Sequence, residues 1–245
     1  MRSAFLPLVS LVLAGFGALS SCKSEGAVAP TAPPCAALTL AENEGMHARN
    51  VELAERAKRD ADAKLVFVGD SITQGWESVP GLWNSEFGRY SPLNLGVSGD
   101  RTEHVLWRLA QGSYDHLKPT AIVVMIGTNN TGHRMDPPAD IAAGIDAILT
   151  ELARRYPKAR IALLAIFPRG ETVDDAMRKN NAEVNALLPA IAKQHGAEWL
   201  DLTRAFTDAA GRLPKAVMPD FLHPGDSGYA VWANAMRGSL ERWMR

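Results

Sequence analysis

Five short apolar runs recur along the chain, and the segments between them return apolar residues every three or four positions. The runs are Lys64-Leu-Val-Phe-Val68, Pro92-Leu-Asn-Leu-Gly96, Thr120-Ala-Ile-Val-Val-Met-Ile126, Arg160-Ile-Ala-Leu-Leu-Ala-Ile166 and Glu198-Trp-Leu-Asp-Leu202. Thr120–Ile126 is the clearest, continuous and β-branched, as in a strand buried on both faces. Helical periodicity covers Met46–Asp60, Glu103–Gln111, Asp140–Tyr156 and Asp174–His195. A closing helix runs to Trp243, with Asp226 or Ser227 as its cap. Between Ile72 and Arg89 the pattern predicts a helix broken at Pro80-Gly81. Strands alternating with helices predict an α/β fold of three layers (α/β/α) around a mostly parallel five-stranded sheet.

In such sheets the working groups gather beyond the carboxyl ends of the strands. Gly69-Asp70-Ser71 follows the first strand and leaves a serine hydroxyl at its end. Gly96 to Asp100 follows the second strand, and Gly127-Thr-Asn-Asn130 follows the third as a strand-end loop. Asp220-Phe-Leu-His223 precedes the last helix and sets a carboxylate three residues from an imidazole. A serine hydroxyl is a weak nucleophile until a base takes its proton, and that base needs a carboxylate to fix its tautomer. Each segment alone is also ordinary turn chemistry. Their joint placement at strand ends is what points to acyl transfer.

Composition trims the picture at the N-terminus. Arg2 gives a short positive region and Phe5 to Leu19 is apolar but broken by Gly and Pro, a signal segment rather than a membrane span. Leu19-Ser-Ser-Cys22 resembles the lipobox of bacterial lipoproteins, which would make Cys22 the lipid-modified first residue. The alternative is a plain secretory signal with an incidental cysteine, in which case Cys22 and Cys35 could pair in an oxidising compartment. Residues 1–21 are thus read as a signal peptide, 22–40 as an Ala/Pro/Ser-rich tether, and 41–245 as one domain. The expected location is the bacterial cell envelope, at the outer membrane where the host has one, because Lys23 and Ser24 are not an acidic retention signal.

The net charge of −1 comes from interspersed acids and bases, with no basic stripe to suggest nucleic acid. His47, His116, His133 and His195 fall at no metal-ligand spacing, so neither metal nor cofactor is expected. His104 and Trp107, three apart on a helix, are expected to pack or hydrogen-bond. Arg101 should face solvent or the cleft rim, and Asp100 should steady its loop. Arg169 is expected to pair with a carboxylate such as Glu171, contact with substrate being the other reading.

Gly69-Asp70-Ser71, Asn94-Leu-Gly-Val-Ser-Gly-Asp100, Gly127-Thr-Asn129 and Asp220-Phe-Leu-His223 resemble, in order, the four blocks of the GDSL/SGNH hydrolases. Gly99-Asp-Arg-Thr-Glu-His-Val-Leu-Trp-Arg-Leu109 and Phe167-Pro-Arg-Gly-Glu171 resemble stretches of the platelet-activating-factor acetylhydrolase subfamily and its bacterial relatives. The signal segment departs from the animal enzymes, which are cytosolic. The resemblance implies a flavodoxin-like fold with Ser71 as nucleophile, His223 as general base and Asp220 orienting it. It implies oxyanion donors from the backbone of Ser71 and Gly99 and the amide of Asn129. It also implies a small acyl pocket beside Ile72, Thr128 and Leu222.

The expected activity is hydrolysis of short-chain, acetyl esters, with an O-acetylated glycan as the small acylated partner. A lysophospholipid or lipid ester is the alternative within that class, and a non-catalytic carbohydrate-binding lipoprotein the alternative outside it. Beyond substrate, the partners expected are the membrane, through the lipid anchor, and no nucleic acid; a homodimer stays open.

Overall fold

The computed structural model describes residues 35–245, so the signal segment, Cys22 and most of the tether lie outside the described residues. Helix α1 (His47–Arg59) leads into β1 (Leu65–Gly69), and the chain then turns through the short α2 (Ser71–Gln74) and α3 (Pro80–Phe87). Strand β2 (Pro92–Gly96) and α4 (Thr102–Ala110) follow, then β3 (Ala121–Met125), α5 (Thr128–Arg134) and α6 (Pro138–Arg155). Strand β4 (Arg160–Leu164), α7 (Ala176–Gln194), β5 (Glu198–Leu200), α8 (Thr203–Phe206) and α9 (Asp226–Trp243) complete the fold. The strands pair in the order β2-β1-β3-β4-β5, every pair parallel. Gly69 stands level with Gly96 on one side and Met125 on the other, so the chain leaves three neighbouring strands at the same height.

The central strands β1 and β3 are apolar and buried throughout because each face meets a helical layer, while β2, β4 and β5 admit Asn94, Arg160 and Glu198. Val66, Val68, Leu93, Leu95, Ile122 and Val124 point to one side, against α1, α4, α6 and α7. Leu65, Phe67, Val123 and Met125 point to the other, against α2, α3 and α9. Phe67 anchors that second layer, with ring centroids 5.0 Å from Trp83, 5.1 Å from Phe87 and 6.3 Å from Trp232. Side chains of this size each contribute about 1.5–3 kcal/mol on full burial, so the carboxyl edge of the sheet rests on a stiff support.

Several sequence expectations change in detail. The expected tether ends before residue 40: Ala37 is buried and its carbonyl accepts from Thr102 Oγ1 at 2.9 Å. Its close fit depends on Gly144, where any side chain would strike both Thr102 and the Ala37 carbonyl. Pro80 begins α3 rather than breaking a helix, because an N-terminal helical position needs no N–H donor. The cap of α9 is Gly225, while Asp226 is already helical and Ser227 donates to the Ala216 carbonyl. Residues 128–130, expected as loop, open α5, and α8 follows β5 where none was expected.

Candidate active site

Strand β1 delivers Ser71 through a turn held by its neighbours. Asp70 Oδ1 accepts from the Ile72 N–H at 2.9 Å, and Tyr229 on α9 donates its hydroxyl to the Ile72 carbonyl at 2.8 Å. These two bonds fix the first turn of α2 from both ends and leave Ser71 partly exposed. Asp70 itself is 0% exposed and its Oδ2 has no partner among the described residues. Burial pushes its carboxyl up to about 7, with the Asp100 charge adding to the rise while the Ile72 amide and Arg169 oppose it.

The loop before α9 brings the other two groups to the serine. Ser71 Oγ lies 2.9 Å from His223 Nε2, and His223 Nδ1 lies 2.7 Å from Asp220 Oδ2. The second carboxylate oxygen, Oδ1, accepts from the backbone N–H of Leu222 at 3.0 Å and of His223 at 2.7 Å. Phe221 adopts a left-handed backbone, φ +60°, and that single turn folds the His223 ring back over its carboxylate. Burial raises the Asp220 carboxyl, but the bonds from the His223 ring and the two amides outweigh it and hold the group below the ordinary value. A proton can therefore pass from hydroxyl to imidazole with a fixed carboxylate behind it.

The loop after β2 supplies the third part. Gly99 has φ +76°, a conformation that costs glycine nothing. Four side chains pin the loop around it. Gln74 Oε1 accepts from the Ser98 N–H at 2.7 Å, and Asn43 Nδ2 donates to the Ser98 carbonyl at 3.1 Å and to Asp100 Oδ1 at 3.0 Å. Arg108 meets Asp100 Oδ2 at 2.9 Å, so the expected steadying role of Asp100 is visible as a buried ion pair. Asn129, at the start of α5, donates to the Asp100 carbonyl at 2.9 Å, and its second amide hydrogen has no partner among the described residues. Ser71, Gln74 and Ser98 line one open hollow of about 290 Å³.

The three residues expected at the acyl pocket are placed differently from one another. Ile72 is fully buried in the second core layer, and Thr128 is fully buried with its carbonyl and hydroxyl accepting from Arg169 Nη1 at 2.8 and 3.2 Å. Leu222 is half-buried against the same layer. The expected Arg169–Glu171 pair does not form: Gly170 between them has φ +73° and turns the chain, and Glu171 meets Arg212 at 2.6 Å instead. His104 takes the hydrogen-bonding role expected of it, its Nδ1 accepting from the Arg101 N–H at 3.1 Å. Among the described residues no three His, Cys, Asp or Glu side chains gather as metal ligands.

Two neighbours of the site carry no sequence signal. Asn43 precedes the first helix, outside every motif, yet holds the Gly99 loop across more than fifty residues of chain. His133 sits beside Gly99, near enough that a Cβ there would lie 3.9 Å from its ring. Burial and the charges of Arg101 and Arg169 push its pKa down, which suits its Nδ1 to accept from Arg101 Nη1 at 3.2 Å. Only the return of α5 to the β2 loop brings it there.

The parallel α/β/α sandwich thus links Ser71, His223 and Asp220 beyond its strand ends. The model of the GDSL-like lipase/acylhydrolase family matches residues 67–231, and the chain belongs to that family. The human platelet-activating factor acetylhydrolase IB subunit alpha1 is 35% identical over 185 residues, 75% of this chain and 78% of that protein. The rat subunit alpha2 is 38% identical over 173 residues, 70% and 73% of the two chains. Among solved structures, a GDSL-like lipase from Bacteroides thetaiotaomicron superposes with TM-score 0.65 at 19% identity, covering 81% of this chain and 97% of its own. An acetylxylan esterase from Geobacillus stearothermophilus superposes with TM-score 0.59 at 22% identity, covering 72% and 94%. The protein is a carboxylic ester hydrolase.

Proposed function

We propose that Ser71 is the nucleophile, His223 its general base and then acid, and Asp220 the group that orients the imidazole. The observation that carries this reading is the relay of 2.9 and 2.7 Å from Ser71 through His223 to Asp220. Attack on an ester carbonyl gives a tetrahedral oxyanion, received by the N–H groups of Ser71 and Gly99 and the second amide hydrogen of Asn129. Preorganised donors of this kind are worth roughly 3–4 kcal/mol of barrier each. Collapse expels the alcohol with a proton from His223, and water then releases the acyl group from Ser71 by the reverse path.

The preferred acyl group is acetyl and the preferred substrate an O-acetylated carbohydrate. The relatives named acetylhydrolases support the first, and the fold shared with an acetylxylan esterase supports the second. A lipid ester is the second reading, supported by the platelet-activating factor in the relatives' names. The test is kcat/KM on a matched nitrophenyl ester series. Wild type should favour acetyl over butyryl by about tenfold or more, since each unplaced methylene costs about 1 kcal/mol. Ser71→Ala should lose several orders of magnitude in kcat while staying folded. A Ser71→Ala protein that kept most of its activity would refute the nucleophile. A maximum at six or more carbons would move the substrate to lipid esters.

Cys22 is the proposed lipid attachment site, tethering the enzyme to the cell envelope. Its support is the Leu19-Ser-Ser-Cys22 motif. Mass spectrometry of the mature N-terminus should find acyl chains on Cys22, and an unmodified terminus elsewhere would reduce the protein to a plainly secreted one.

A further inference from the structure

A second hollow shares one lining residue with the hollow that opens on Ser71. It has a volume of about 510 Å³ and runs beside the edge strand β2, between the end of α1 and the start of α3. Glu77 lines both this hollow and the one that opens on Ser71, so the two meet at that residue. Trp83, half-exposed, and Trp76, buried, form its apolar wall, and Arg56, Arg59 and Asp60 form its polar rim.

Two features of this lining specify the chemistry it suits. The charges are balanced: Glu77 meets Arg49 at 2.7 Å and Arg56 at 2.5 Å, and Arg56 also meets Glu52 at 2.5 Å. With Arg59 and Asp60 adding one charge of each sign beside these pairs, the lining offers donors and acceptors with no net charge, which suits a neutral polyhydroxyl ligand and gives an anion no advantage. Trp76 is 1% exposed and packed in the core, so the ring surface open to a ligand here is that of Trp83. Aromatic surface beside hydrogen-bonding side chains gives an amphipathic wall, apolar for a sugar face and polar for its hydroxyl rim.

Resting on the esterase reading above, we propose that this hollow is the alcohol-side subsite, holding the sugar units next to the acetylated one in a glycan chain. The acetylated unit would sit at Ser71 and Ser98, and the chain would pass Glu77 onto Trp83 and Arg59. The enzyme would therefore act on oligomers and polymers in preference to free acetylated monosaccharides. Binding on this side fixes the leaving group and leaves the acyl chemistry at Ser71 unaltered, so the gain should appear chiefly in KM.

The test measures kcat/KM for O-acetylated xylo- and cello-oligosaccharides of two to six units, alongside nitrophenyl acetate as the small reference. For at least one backbone the value should rise about tenfold or more with length, mostly through KM. Arg59→Ala removes an exposed side chain without an ion partner among the described residues, and Trp83→Leu removes the ring. Each should lower the ratio of hexasaccharide to nitrophenyl acetate turnover about fivefold or more. Trp83 also packs on Phe67, so Arg59→Ala keeps the test alive should the Trp83 variant misfold. Length-independent kcat/KM in both series overturns the subsite, as does an unchanged ratio in Arg59→Ala. Turnover of nitrophenyl acetate with rejection of every glycan overturns both the subsite and the carbohydrate substrate, and leaves the esterase standing. No turnover of nitrophenyl acetate removes the esterase reading itself.

Discussion

Asp70 sits fully buried between the sheet and Ser71, and its role can be separated from that of Asp220 by pH. Its folded pKa, about 7, lies above the ordinary carboxylate value of about 4. Between those limits the folded state holds a proton that the unfolded state has released. Its contribution to stability is thus full below about pH 4 and is lost as pH rises toward about 7. Asp220 runs the other way, its contribution present above the unfolded value and lost in acid. Asp70→Asn keeps an oxygen for the Ile72 N–H and removes the titration, while leaving Asp220 untouched. Melting curves from pH 4 to pH 8 should show wild type losing up to a few kcal/mol relative to the variant as pH rises. Parallel curves would mean that Asp70 does not titrate in that window. At this scale Ser71, Asp220 and His223 were legible because each lies in a short run whose neighbours are fixed by the same turn. Asn43 and His133 were not, because their partners lie across the fold and the residues beside them carry no pattern.

The elements divide along the same line. The central strands β1 and β3 were legible because a strand covered on both faces is apolar at every position, and β2, β4 and β5 because apolar residues still outnumber Asn94, Arg160 and Glu198 within them. Helix α5 was not, because Thr128, Asn129, Asn130, Thr131 and Gly132 are poor helix formers, and nothing local predicts a helix there. Tertiary bonds hold it instead. Asn130 Oδ1 accepts from the Thr102 N–H at 3.0 Å, and its Nδ2 meets Thr102 Oγ1 at 3.2 Å, Glu103 Oε2 at 3.3 Å and Asp136 Oδ2 at 3.1 Å. This one buried side chain joins the start of α5 to the start of α4 and so fixes Asn129 beside the Gly99 loop. Asn130→Ala leaves a buried amide and two carboxylates short of partners, at a cost of about 2–4 kcal/mol. The variant should melt several degrees lower. Its kcat on nitrophenyl acetate should fall about tenfold or more with little change in KM, as expected when a transition-state donor is displaced. A variant that melted lower but kept its kcat would detach α5 from the proposed oxyanion site.

At the scale of the molecule, the fold draws on the end of the expected linker through Ala37, and the site on Asn43 just beyond it. Residues 23–40 are rich in Ala, Pro and Ser, so the sequence reads as tether up to about residue 40. The three-layer sandwich nevertheless uses the end of that stretch: Ala37 closes over α4 and α6, and beyond it Asn43 holds both the Ser98 carbonyl and the Asp100 carboxylate. Sequence reading missed this because the contacts are single hydrogen bonds to distant loops, which leave no periodicity. Two N-terminal deletions separate tether from fold. Removing residues 1–34 leaves each of these bonds in place, so the enzyme should keep its melting temperature and its kcat/KM on nitrophenyl acetate. Removing residues 1–43 takes away the Ala37 contact and both Asn43 bonds, one of them to a charged group. That loss amounts to about 3–5 kcal/mol, given about 1 kcal/mol for a neutral bond and 1.5–3 for a charged one. For a domain of this size the melting temperature should drop by roughly 10 °C. The loop bearing Gly99 would lose one of its four supports, so kcat should fall about tenfold even at temperatures where the shortened protein is folded. Asn43→Ala in the full chain should reproduce most of the loss in kcat with a smaller loss in stability. Equal behaviour of the two deletions would show that the segment is a tether after all, and that the Gly99 loop holds its shape without Asn43.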